Sequence, residues 1–342
     1  MPFVSVIMAS RNTFNYIETA IQSVLAQTFK DFELIIVDDN SNDNSIKIIN
    51  KYKKKDKRIK LIRNSKTLGP AKSRNIALNV SKGTWISILD SDDVYFSNKL
   101  KKQIEIIEKN PETIFVGSSL VFIDEKGKYL SNYKYSSKNS ALKRNILKNG
   151  AFPPHSSYFI KSNYLKKING YNPRYYMAPD YDLLLRLLKF GKFFSVDEAL
   201  IKLRLHTKNR SLKKFNSLNQ LDYAICANIC HYIRRKTNSD PATDLNNNEW
   251  SIFLKKIAST LKEDKYYKYL VFKKKLKIKI KKMILKKKIK SLFYLLFKEK
   301  LYFYFLIDYF RGHSISNKLK NYYLKYYKNY FFTNTILVTK SR

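Results

Sequence analysis

The chain has 342 residues, enough for one large or two ordinary domains, and its 44% hydrophobic content can bury a core, which excludes a disordered protein. Its formal net charge of +40, from 67 Lys and Arg against 27 Asp and Glu, favours polyanionic partners such as phosphorylated substrates, anionic lipid or nucleic acid. Abundant Lys, Asn, Ile, Tyr and Phe with few Gly, Pro and Ala also fit a very AT-rich genome, so the charge alone leaves the partner open.

Strands alternate with helices over the first ninety residues. Apolar alternation predicts a strand over Phe3 to Met8, and apolar residues at helical spacing predict a helix over Asn15 to Gln27. The alternation continues with a strand at Phe32 to Val37, a helix that opens in the polar stretch 41–45, a strand at Ile59 to Ile62, a helix at Ala71 to Val80 and a strand from Thr84. This order predicts an α/β fold with a mostly parallel sheet and right-handed crossovers.

The stretch Thr84 to Asp93, TWISILDSDD, is chemically the most demanding part of the chain, because an apolar run ends in the carboxylates Asp90, Asp92 and Asp93. Three acids within four residues repel one another, and Mg²⁺ or Mn²⁺ holding a diphosphate would offset that repulsion. The alternative is an acidic turn in which Asp92 or Ser97 caps the following helix.

A second acidic pair, Asp38 and Asp39, follows the second predicted strand. The carboxyl ends of parallel strands meet at one edge of an open sheet, where ligands bind, so we expect both acidic clusters in one crevice. No GxG sequence occurs, which excludes the dinucleotide fingerprint and the P-loop. A nucleotide at this edge must therefore be bound by other groups. Carboxylates and cations are available there as Arg11, Asp39, Lys72, Arg74 and the cluster at Asp90.

Beyond Lys99 the order of elements changes. The predicted elements are a helix to about Asn110, short strands between Ile114 and Ile123, a strand over 151–161 entered through a Pro-Pro bend, a helix over Asp180 to Phe190 and a strand region over Phe193 to His206. This order predicts a mixed sheet that completes the site.

The C-terminal part of the chain differs in composition, so we divide the chain into a domain at 1–212 and a helical, Lys-rich and aromatic region at 213–342. Residues 251–342 hold 25 Lys and Arg against 4 Asp and Glu. The segment 271–300 would lay an apolar face on an anionic membrane surface or bind the acceptor there. The alternative is an ordinary helical appendage with a solvated basic face.

Three features predict a cytoplasmic protein. Cys226 and Cys230, at i, i+4 spacing, resemble core thiols of a reducing compartment. The N-terminal sequence MPFVSVIMASRN has no basic lead and is interpreted as a strand instead of a signal peptide. No window of about 18 uncharged apolar residues occurs. We therefore expect a peripheral protein on the inner face of the cytoplasmic membrane, held there by its basic surface.

Six motifs resemble those of the family 2 inverting glycosyltransferases and occur in the family's order over about residues 1–210. They are VSVIMASRN, QSVLAQTFKDFELIIVDDNSNDNS, GPAKSRNIAL, the DSD of ILDSDD, PDYDLLLRL and LRLH. The resemblance implies the GT-A fold of nucleotide-diphospho-sugar transferases, a Rossmann-like mixed sheet flanked by helices. Here a mostly helical basic extension would follow it.

The resemblance also implies which positions bind the donor and the metal. Asp39 would hydrogen-bond the nucleotide base, Asp90 would contact the ribose, and Asp92 would bind Mn²⁺ or Mg²⁺. His206, in LRLH, resembles a late histidine of the family that approaches the metal or the pyrophosphate. The full set expected to contact the nucleotide-sugar is Ala9, Arg11, Asp39, Lys72, Arg74, Asp90, Ser91 and Asp93.

Asp180 resembles the family's catalytic base, which takes the proton of the acceptor hydroxyl as that hydroxyl attacks the anomeric carbon. The metal would stabilise the departing diphosphate, and in-line attack would invert the anomeric centre. The family usually carries an acidic residue just before this aspartate, whereas this chain has Pro179, so Asp182 remains an alternative base. His155 lies where such enzymes accept the second substrate. The alternative is that His155 is a buried polar residue without a role in acceptor binding.

These features together predict a metal-dependent glycosyltransferase that moves a sugar, from UDP in preference to other nucleotides, to a hydroxyl of a bacterial surface glycan such as lipopolysaccharide or capsule. One alternative is a nucleotidyltransferase on a related fold, but ASRNTFN offers no Gly-rich phosphate loop. The other is a non-enzymatic nucleic-acid binder that uses the basic tail. We expect no nucleic acid, because acids line the predicted cleft.

Overall fold

The structure is a computed structural model that describes residues 1–135, 139–147, 152–207, 209, 218 and 220–263, with side chains to residue 260. The chain divides into two compact units, one of Met1–Ile146 with Gly150–Asn209 and the other of Leu147–Asn149 with Arg210–Arg342. The basic segment 271–300, with its predicted membrane contact, lies outside the described residues.

Nine strands are present in the described part of the first unit. In chain order they are β1 Val4–Ser10, β2 Phe32–Asp38, β3 Ile59–Arg63, β4 Trp85–Ile88, β5 Val94–Tyr95, β6 Thr113–Ile123, β7 Tyr129–Tyr133, β8 Phe159–Lys161 and β9 Lys192–Arg204. They form one sheet in the order β3-β2-β1-β4-β8-β6-β9-β5, and β7 pairs with β6.

The N-terminal half of the sheet is parallel, as predicted. β1 pairs in parallel with β2 and with β4, and β2 pairs in parallel with β3. β1 and β2 are buried along almost their whole length, which their near-continuous apolar sequences allow in strands covered on both faces. The carboxyl ends of β2 and β4 therefore lie at the same edge, and both acidic clusters lie there with them.

Helices connect these strands and contribute to the main core. Those of the first unit and its boundary are α1 Phe14–Leu25, α2 Ser45–Lys55, α3 Pro70–Val80, α4 Lys99–Lys109, α5 Asn139–Leu147, α6 Ser162–Lys167 and α7 Pro179–Leu187. Ile17 and Ile21 of α1 and Leu100 of α4 are fully buried in one apolar cluster with Val6 and Trp85 of the sheet. Burial of each such side chain contributes about 1.5–3 kcal/mol to folding.

The second half of the sheet is mixed. β8 is antiparallel to β4 and to β6, whereas β6 is parallel to β9. The strand expected over 151–161 is shorter than predicted, because Pro153 and Pro154 lack the N–H donors of a strand ladder. The chain forms a 3₁₀ turn at His155–Ser157 instead, and β8 begins only at Phe159.

The acidic turn is not a helix cap, so the alternative role of Asp92 or Ser97 as N-cap is wrong. β5 separates the acids from α4, and its residue Tyr95 pairs with Ile201 of β9. Asn98 is the residue at the N-cap position of α4. A two-residue strand is too short to be recognised by periodicity, which explains why the sequence did not indicate it.

The second unit is helical where it is described. Its helices are α8 Gln220–Thr237, α9 Pro241–Asp244 and α10 Asn247–Glu263. Cys226 and Cys230 are buried free thiols on α8, as predicted. α9 is a short helix between α8 and α10, and the side chain of Asp240 caps it by accepting a hydrogen bond from the Ala242 N–H at 3.0 Å. No helix in the described part of the chain is both long enough and apolar enough to cross a bilayer.

Candidate active site

Asp90, just beyond the carboxyl end of β4, is held by two basic side chains. Arg74 of α3 donates to its Oδ1 at 2.5 Å, and Nδ1 of His155 lies 3.0 Å from the same oxygen. The Asp90 backbone N–H donates to Ser156 Oγ at 3.1 Å. Burial raises the pKa of Asp90, but His155 and Arg74 outweigh burial and hold that pKa well below its usual range. Asp90 is therefore a stable anion, and its side chain remains 30% exposed to a ligand.

Asp93 is held by neutral donors. Ser156 donates its hydroxyl to Oδ2 at 2.5 Å, and the backbone N–H of Arg204 donates to Oδ1 at 2.9 Å. Burial raises the pKa of Asp93 well above its usual range, and the charges of Asp92 and Asp90 raise it further. The three carboxylates thus differ in electrostatic environment although they lie within four residues.

Asp92 pairs with His206, which follows the end of β9. Oδ2 of Asp92 and Nε2 of His206 are 2.9 Å apart, and the His206 ring lies 4.9 Å from that of Tyr16 between centroids. Nδ1 of His206 is buried and lacks a hydrogen-bond partner among the described residues. The Arg204 guanidinium donates through Nε to the Asp92 carbonyl at 3.0 Å and lies 5.1 Å from the Tyr16 ring centroid. The sequence motif LRLH therefore contributes two site residues, of which we had predicted only the histidine.

A divalent cation would have two protein ligands at this point. No cluster of three or more His, Cys, Asp or Glu side chains arranged for a metal occurs in the described residues. Asp92 and His206 nevertheless bring a carboxylate oxygen and an imidazole nitrogen within 2.9 Å of each other. Mg²⁺ is commonly bound by one or two carboxylates together with water and substrate phosphate, so this pair suits a metal that arrives with a diphosphate.

Asp39, after the end of β2, anchors the start of α3. Its carboxylate accepts hydrogen bonds at 2.8 Å from the backbone N–H groups of Leu68 and Gly69 and from the side-chain amide of Asn64. Burial raises the pKa of Asp39, and these hydrogen bonds lower it further than burial raises it. Oδ2 receives only the Gly69 bond of these three, so this oxygen can accept one more N–H, such as that of a nucleotide base.

The remaining residues predicted to contact the donor differ in exposure. Ala9 lies on β1 opposite Val37 of β2 and is half-buried, and Ser91 is buried in the acidic turn. Arg11 and Lys72 are exposed, and no hydrogen bond or ion pair with a described residue fixes either side chain. The geometry therefore leaves both cations available but does not assign them a ligand.

Asp180 lies in the first turn of α7, after Pro179 at its start, and is half-buried. Its carboxylate has no hydrogen bond or ion pair with any described residue. Burial raises the pKa of the Tyr158 phenol well above its usual range, and the charge of Asp180 raises it further. Burial raises the pKa of Tyr171, and the charge of Asp180 raises it further. Asp180 therefore lies near the side of the site that holds His155.

Asp182, the alternative base, is engaged in structure. It is fully buried, and its Oδ2 accepts a hydrogen bond from Arg186 Nε at 2.8 Å. Arg186 also donates to the carbonyls of Ile168 and Gly170 at 2.7 and 2.8 Å. This ion pair ties α7 to the turn before it and leaves Asp180 as the more accessible carboxylate.

Three further residues belong to the site although we had not predicted them, or had not placed them there. His155, expected either in the acceptor region or as a buried polar residue, contacts Asp90; Tyr171 contacts His155, and Arg204 borders Asp92 and Asp93. Alternation along β9 puts Arg204 on the same face as His206, so that signal was present in LRLH. Nothing in the sequence around Tyr171 indicated its contact.

Comparison with known proteins identifies the family of the chain. The family described as "Glycosyl transferase family 2" matches residues 5–168. An uncharacterized glycosyltransferase of Methanocaldococcus jannaschii is 36% identical over 226 residues, which cover 65% of this chain and 77% of that protein. The Escherichia coli UDP-Glc:alpha-D-GlcNAc-diphosphoundecaprenol beta-1,3-glucosyltransferase WfaP is 41% identical over 125 residues, 36% of this chain and 48% of WfaP.

Among solved structures, Staphylococcus aureus TarS residues 1–349 in complex with UDP-GlcNAc superimposes with a TM-score of 0.56 at 20% identity. The match covers 73% of this chain and 69% of that one. At that identity the likeness shows the fold, which is GT-A as predicted. Taken with the sequence relatives, it shows that the chain is a glycosyltransferase and belongs to glycosyltransferase family 2.

Proposed function

We propose that this enzyme transfers a sugar from a nucleotide-diphosphate donor, with inversion, to a hydroxyl of a bacterial surface glycan, and that the donor is a UDP-sugar. The observation that supports this most strongly is the arrangement at the carboxyl edge of the sheet. There the partly exposed carboxylate of Asp90 is held by Arg74, and Asp92, two residues further on, pairs with His206. The edge thus offers separate groups for a ribose hydroxyl and for a metal-bound diphosphate.

The donor contacts follow from the hydrogen-bonding capacity of each group. Asp39 can accept one further N–H, which suits uracil N3–H, and Asp90 can accept a ribose hydroxyl. Arg74, Lys72 and Arg11 supply positive charge for the diphosphate, while Ala9, Ser91 and Asp93 would line the pocket. WfaP uses UDP-Glc and TarS binds UDP-GlcNAc, which favours UDP-hexoses here as well.

Asp92 and His206 would hold Mn²⁺ or Mg²⁺ together with the diphosphate. When bound, the cation would supply positive charge to the leaving group. Asp180 would take the proton of the acceptor hydroxyl, because it is half-buried, has no hydrogen bond to another described residue and lies at the start of a helix beside the site.

The acceptor and the location form part of the same proposal. WfaP acts on a diphosphoundecaprenol-linked sugar, which favours a lipid-linked glycan as acceptor. We place the enzyme at the cytoplasmic face of the membrane, with the Lys-rich residues beyond 263 as its contact with anionic lipid. Sedimentation of the full chain with phosphatidylglycerol vesicles but not with phosphatidylcholine vesicles is the test of that contact.

The central experiment is calorimetric titration of UDP, GDP and other nucleoside diphosphates into the full-length protein, with and without Mn²⁺. We expect one nucleotide, UDP, to bind in a metal-dependent manner, and Asp92→Ala to remove the metal dependence. Asp197→Ala is the matched control, because Asp197 is an exposed aspartate of β9 without a hydrogen bond or ion pair to a described residue. Absence of binding by any nucleotide to a folded wild type would overturn the proposal.

A further inference from the structure

His155 connects the Asp90 carboxylate to Tyr171, a residue from a distant part of the chain. Its Nδ1 lies 3.0 Å from Oδ1 and 3.2 Å from Oδ2 of Asp90, and its Nε2 lies 2.8 Å from the Tyr171 hydroxyl. The His155 side chain is only 11% exposed, and Tyr171 is 1% exposed. Both ring nitrogens therefore have a partner, and the ring is covered.

The partners determine where the ring carries its proton. The Arg74 guanidinium donates to Asp90 Oδ1 at 2.5 Å, and a carboxylate paired with a guanidinium in this way is ionised. An ionised carboxylate only accepts hydrogen bonds, so Nδ1 must donate to it. The phenol can donate to Nε2 of a neutral ring or accept from Nε2 of a charged one, so Nδ1 carries a proton in either state of the ring.

Backbone hydrogen bonds hold both His155 and Tyr171 in place. The 3₁₀ turn holds the His155 backbone, because its carbonyl accepts from the Tyr158 N–H at 3.0 Å. Tyr171 is attached to α3 by two hydrogen bonds of 2.8 Å with the Asn75 side chain, one from the Tyr171 N–H and one to its carbonyl. Gly170, with φ of +62°, lies so close that an added Cβ would be 2.4 Å from Asn75 Oδ1, which restricts this approach to glycine.

The donors on Asp90 are unevenly distributed over its two oxygens. Arg74 donates to Oδ1, and the shorter contact of His155 Nδ1 is also with Oδ1. Oδ2 receives only the longer contact of the same nitrogen and is the oxygen that keeps acceptor capacity for a ligand. The orientation of the carboxylate, and so the direction of Oδ2, depends on a ring held from the opposite side by Tyr171.

We propose that His155 is a positioning residue: through Nδ1–H it fixes the rotation of the Asp90 carboxylate so that Oδ2 receives a ribose hydroxyl of the nucleotide, while Tyr171 holds the ring in place. This inference rests on the proposed function, in which Asp90 contacts the ribose. It assigns to His155 a part in donor affinity and not in acceptor contact.

Two substitutions of similar size separate the Asp90 contact from the Tyr171 contact. The side-chain amide nitrogen of His155→Asn occupies the position of Nδ1 and keeps the donor to Asp90. That of His155→Gln lies nearer the position of Nε2 and loses this donor. We expect His155→Asn to bind UDP within about threefold of wild type and His155→Gln to bind it about tenfold more weakly, a difference of about 1.4 kcal/mol. Calorimetry gives the affinities, and thermal unfolding shows whether the two variants fold equally well.

A spectroscopic measurement tests the contact without any ligand. The chain has four histidines, so long-range ¹H–¹⁵N spectra of histidine-labelled protein can be assigned with His155→Asn as reference. We expect a protonated Nδ1 for His155, and Tyr171→Phe to shift its Nε2 resonance. An Nδ1 without a proton would overturn the proposal.

The outcomes distinguish this inference from the proposed function. Equal UDP affinity in wild type, His155→Asn and His155→Gln would overturn the positioning role and leave the proposed function intact. A folded wild type that binds no nucleoside diphosphate would overturn both. Weak binding by His155→Asn and His155→Gln alike, with normal thermal stability, would also overturn the specific role of Nδ1–H.

Discussion

The two acidic clusters lie at the same edge of the sheet, yet they are held in different ways. The Asp39 carboxylate accepts hydrogen bonds from neutral donors, two backbone N–H groups and one amide, all at 2.8 Å. Asp90 is held by a guanidinium and an imidazole and keeps a third of its side chain exposed. Three neutral donors make Asp39 chiefly a structural anchor with one acceptor site left on Oδ2, whereas Asp90, paired with Arg74, keeps its Oδ2 open to a ligand.

The same contrast recurs on α7. Asp182 is fully buried and accepts from Arg186, which also binds the two carbonyls before the helix. Asp180, two residues earlier, has no such partner among the described residues. The two carboxylates are chemically identical and two residues apart, so their environments alone predict that one supports the fold and the other the reaction.

The largest effect is expected at Asp180. In Asp180→Asn the side chain keeps its shape but cannot take a proton, so we expect transfer to fall by about 10²–10⁴-fold, the usual contribution of a general base. UDP affinity should stay within about twofold of wild type, because Asp180 is not proposed to bind the nucleotide. Nucleotide release during turnover with a lipid-linked acceptor, followed by chromatography, measures the rate.

Asp182→Asn is the matched control for that substitution. It removes the charge partner of Arg186 in a buried pair, so we expect a stability loss of about 3–5 kcal/mol. Denaturant unfolding measures that loss, and the fraction that remains folded should retain turnover. If Asp182→Asn abolished turnover at unchanged stability while Asp180→Asn remained active, the assignment of the two roles would be reversed.

A smaller effect is expected at Asp39. In Asp39→Asn one acceptor oxygen becomes an NH₂ group that faces an N–H donor, and we expect the free energy of unfolding to fall by about 1–3 kcal/mol. The folded-state pKa of Asp39 is lowered, so its contribution to stability is present above the ordinary carboxyl pKa and is lost as pH falls through the folded-state value. Urea unfolding of the free protein at pH 7 and near pH 3 measures both effects.

Asp197→Asn, an exposed substitution of the same chemistry, provides the baseline for Asp39→Asn. Unchanged stability of Asp39→Asn would remove the contrast between the clusters, since Asp39 would then not anchor the fold.

The parallel half of the fold and the location of the acids were predictable from the sequence. The apolar runs of β1, β2 and β4 each end at polar residues, and parallel pairing then brings those ends to one edge. Repulsion among Asp90, Asp92 and Asp93 was also foreseeable, but its compensation was not. We expected a metal to supply the positive charge, and the structure adds the Arg74 guanidinium from α3 and a hydrogen bond from the His155 ring in the turn at His155–Ser157.

The missed contacts share a physical cause. His155 and Tyr171 meet across 16 residues through a 3₁₀ turn and a glycine with positive φ, and neither element has a periodicity that sequence patterns display. β5 is missed for the same reason, because two residues cannot show alternation. Motif order predicts which residues approach the ligand, but the residues that hold them depend on tertiary packing.

Lys99 and Arg74 are two basic side chains that contact β4 or the residues just after it, and they are stabilised in different ways. Arg74 is paired with a carboxylate, whereas the fully buried Lys99 Nζ donates at 2.8 Å to the neutral oxygens of Ser87 and Gln103 and lies 4.1 Å from the Tyr95 ring centroid. No ion pair of Lys99 occurs within the described residues. Burial lowers its pKa well below the usual value near 10.5.

This difference predicts that the free energy of unfolding depends on pH. The unfolded chain binds the Lys99 proton more tightly than the folded protein does, so the free energy of unfolding rises with pH between the folded-state pKa and about 10.5. Relative to Lys99→Met, which has no proton to lose, wild type should gain up to about 1.4 kcal/mol per pH unit within that window. Lys101→Met, an exposed substitution on the same helix, should show the wild-type slope in urea unfolding from pH 7 to pH 10. Equal slopes for wild type and Lys99→Met would show that Lys99 is charged in the fold, and that neutral oxygens and an aromatic ring stabilise a buried cation as well as a carboxylate stabilises Arg74.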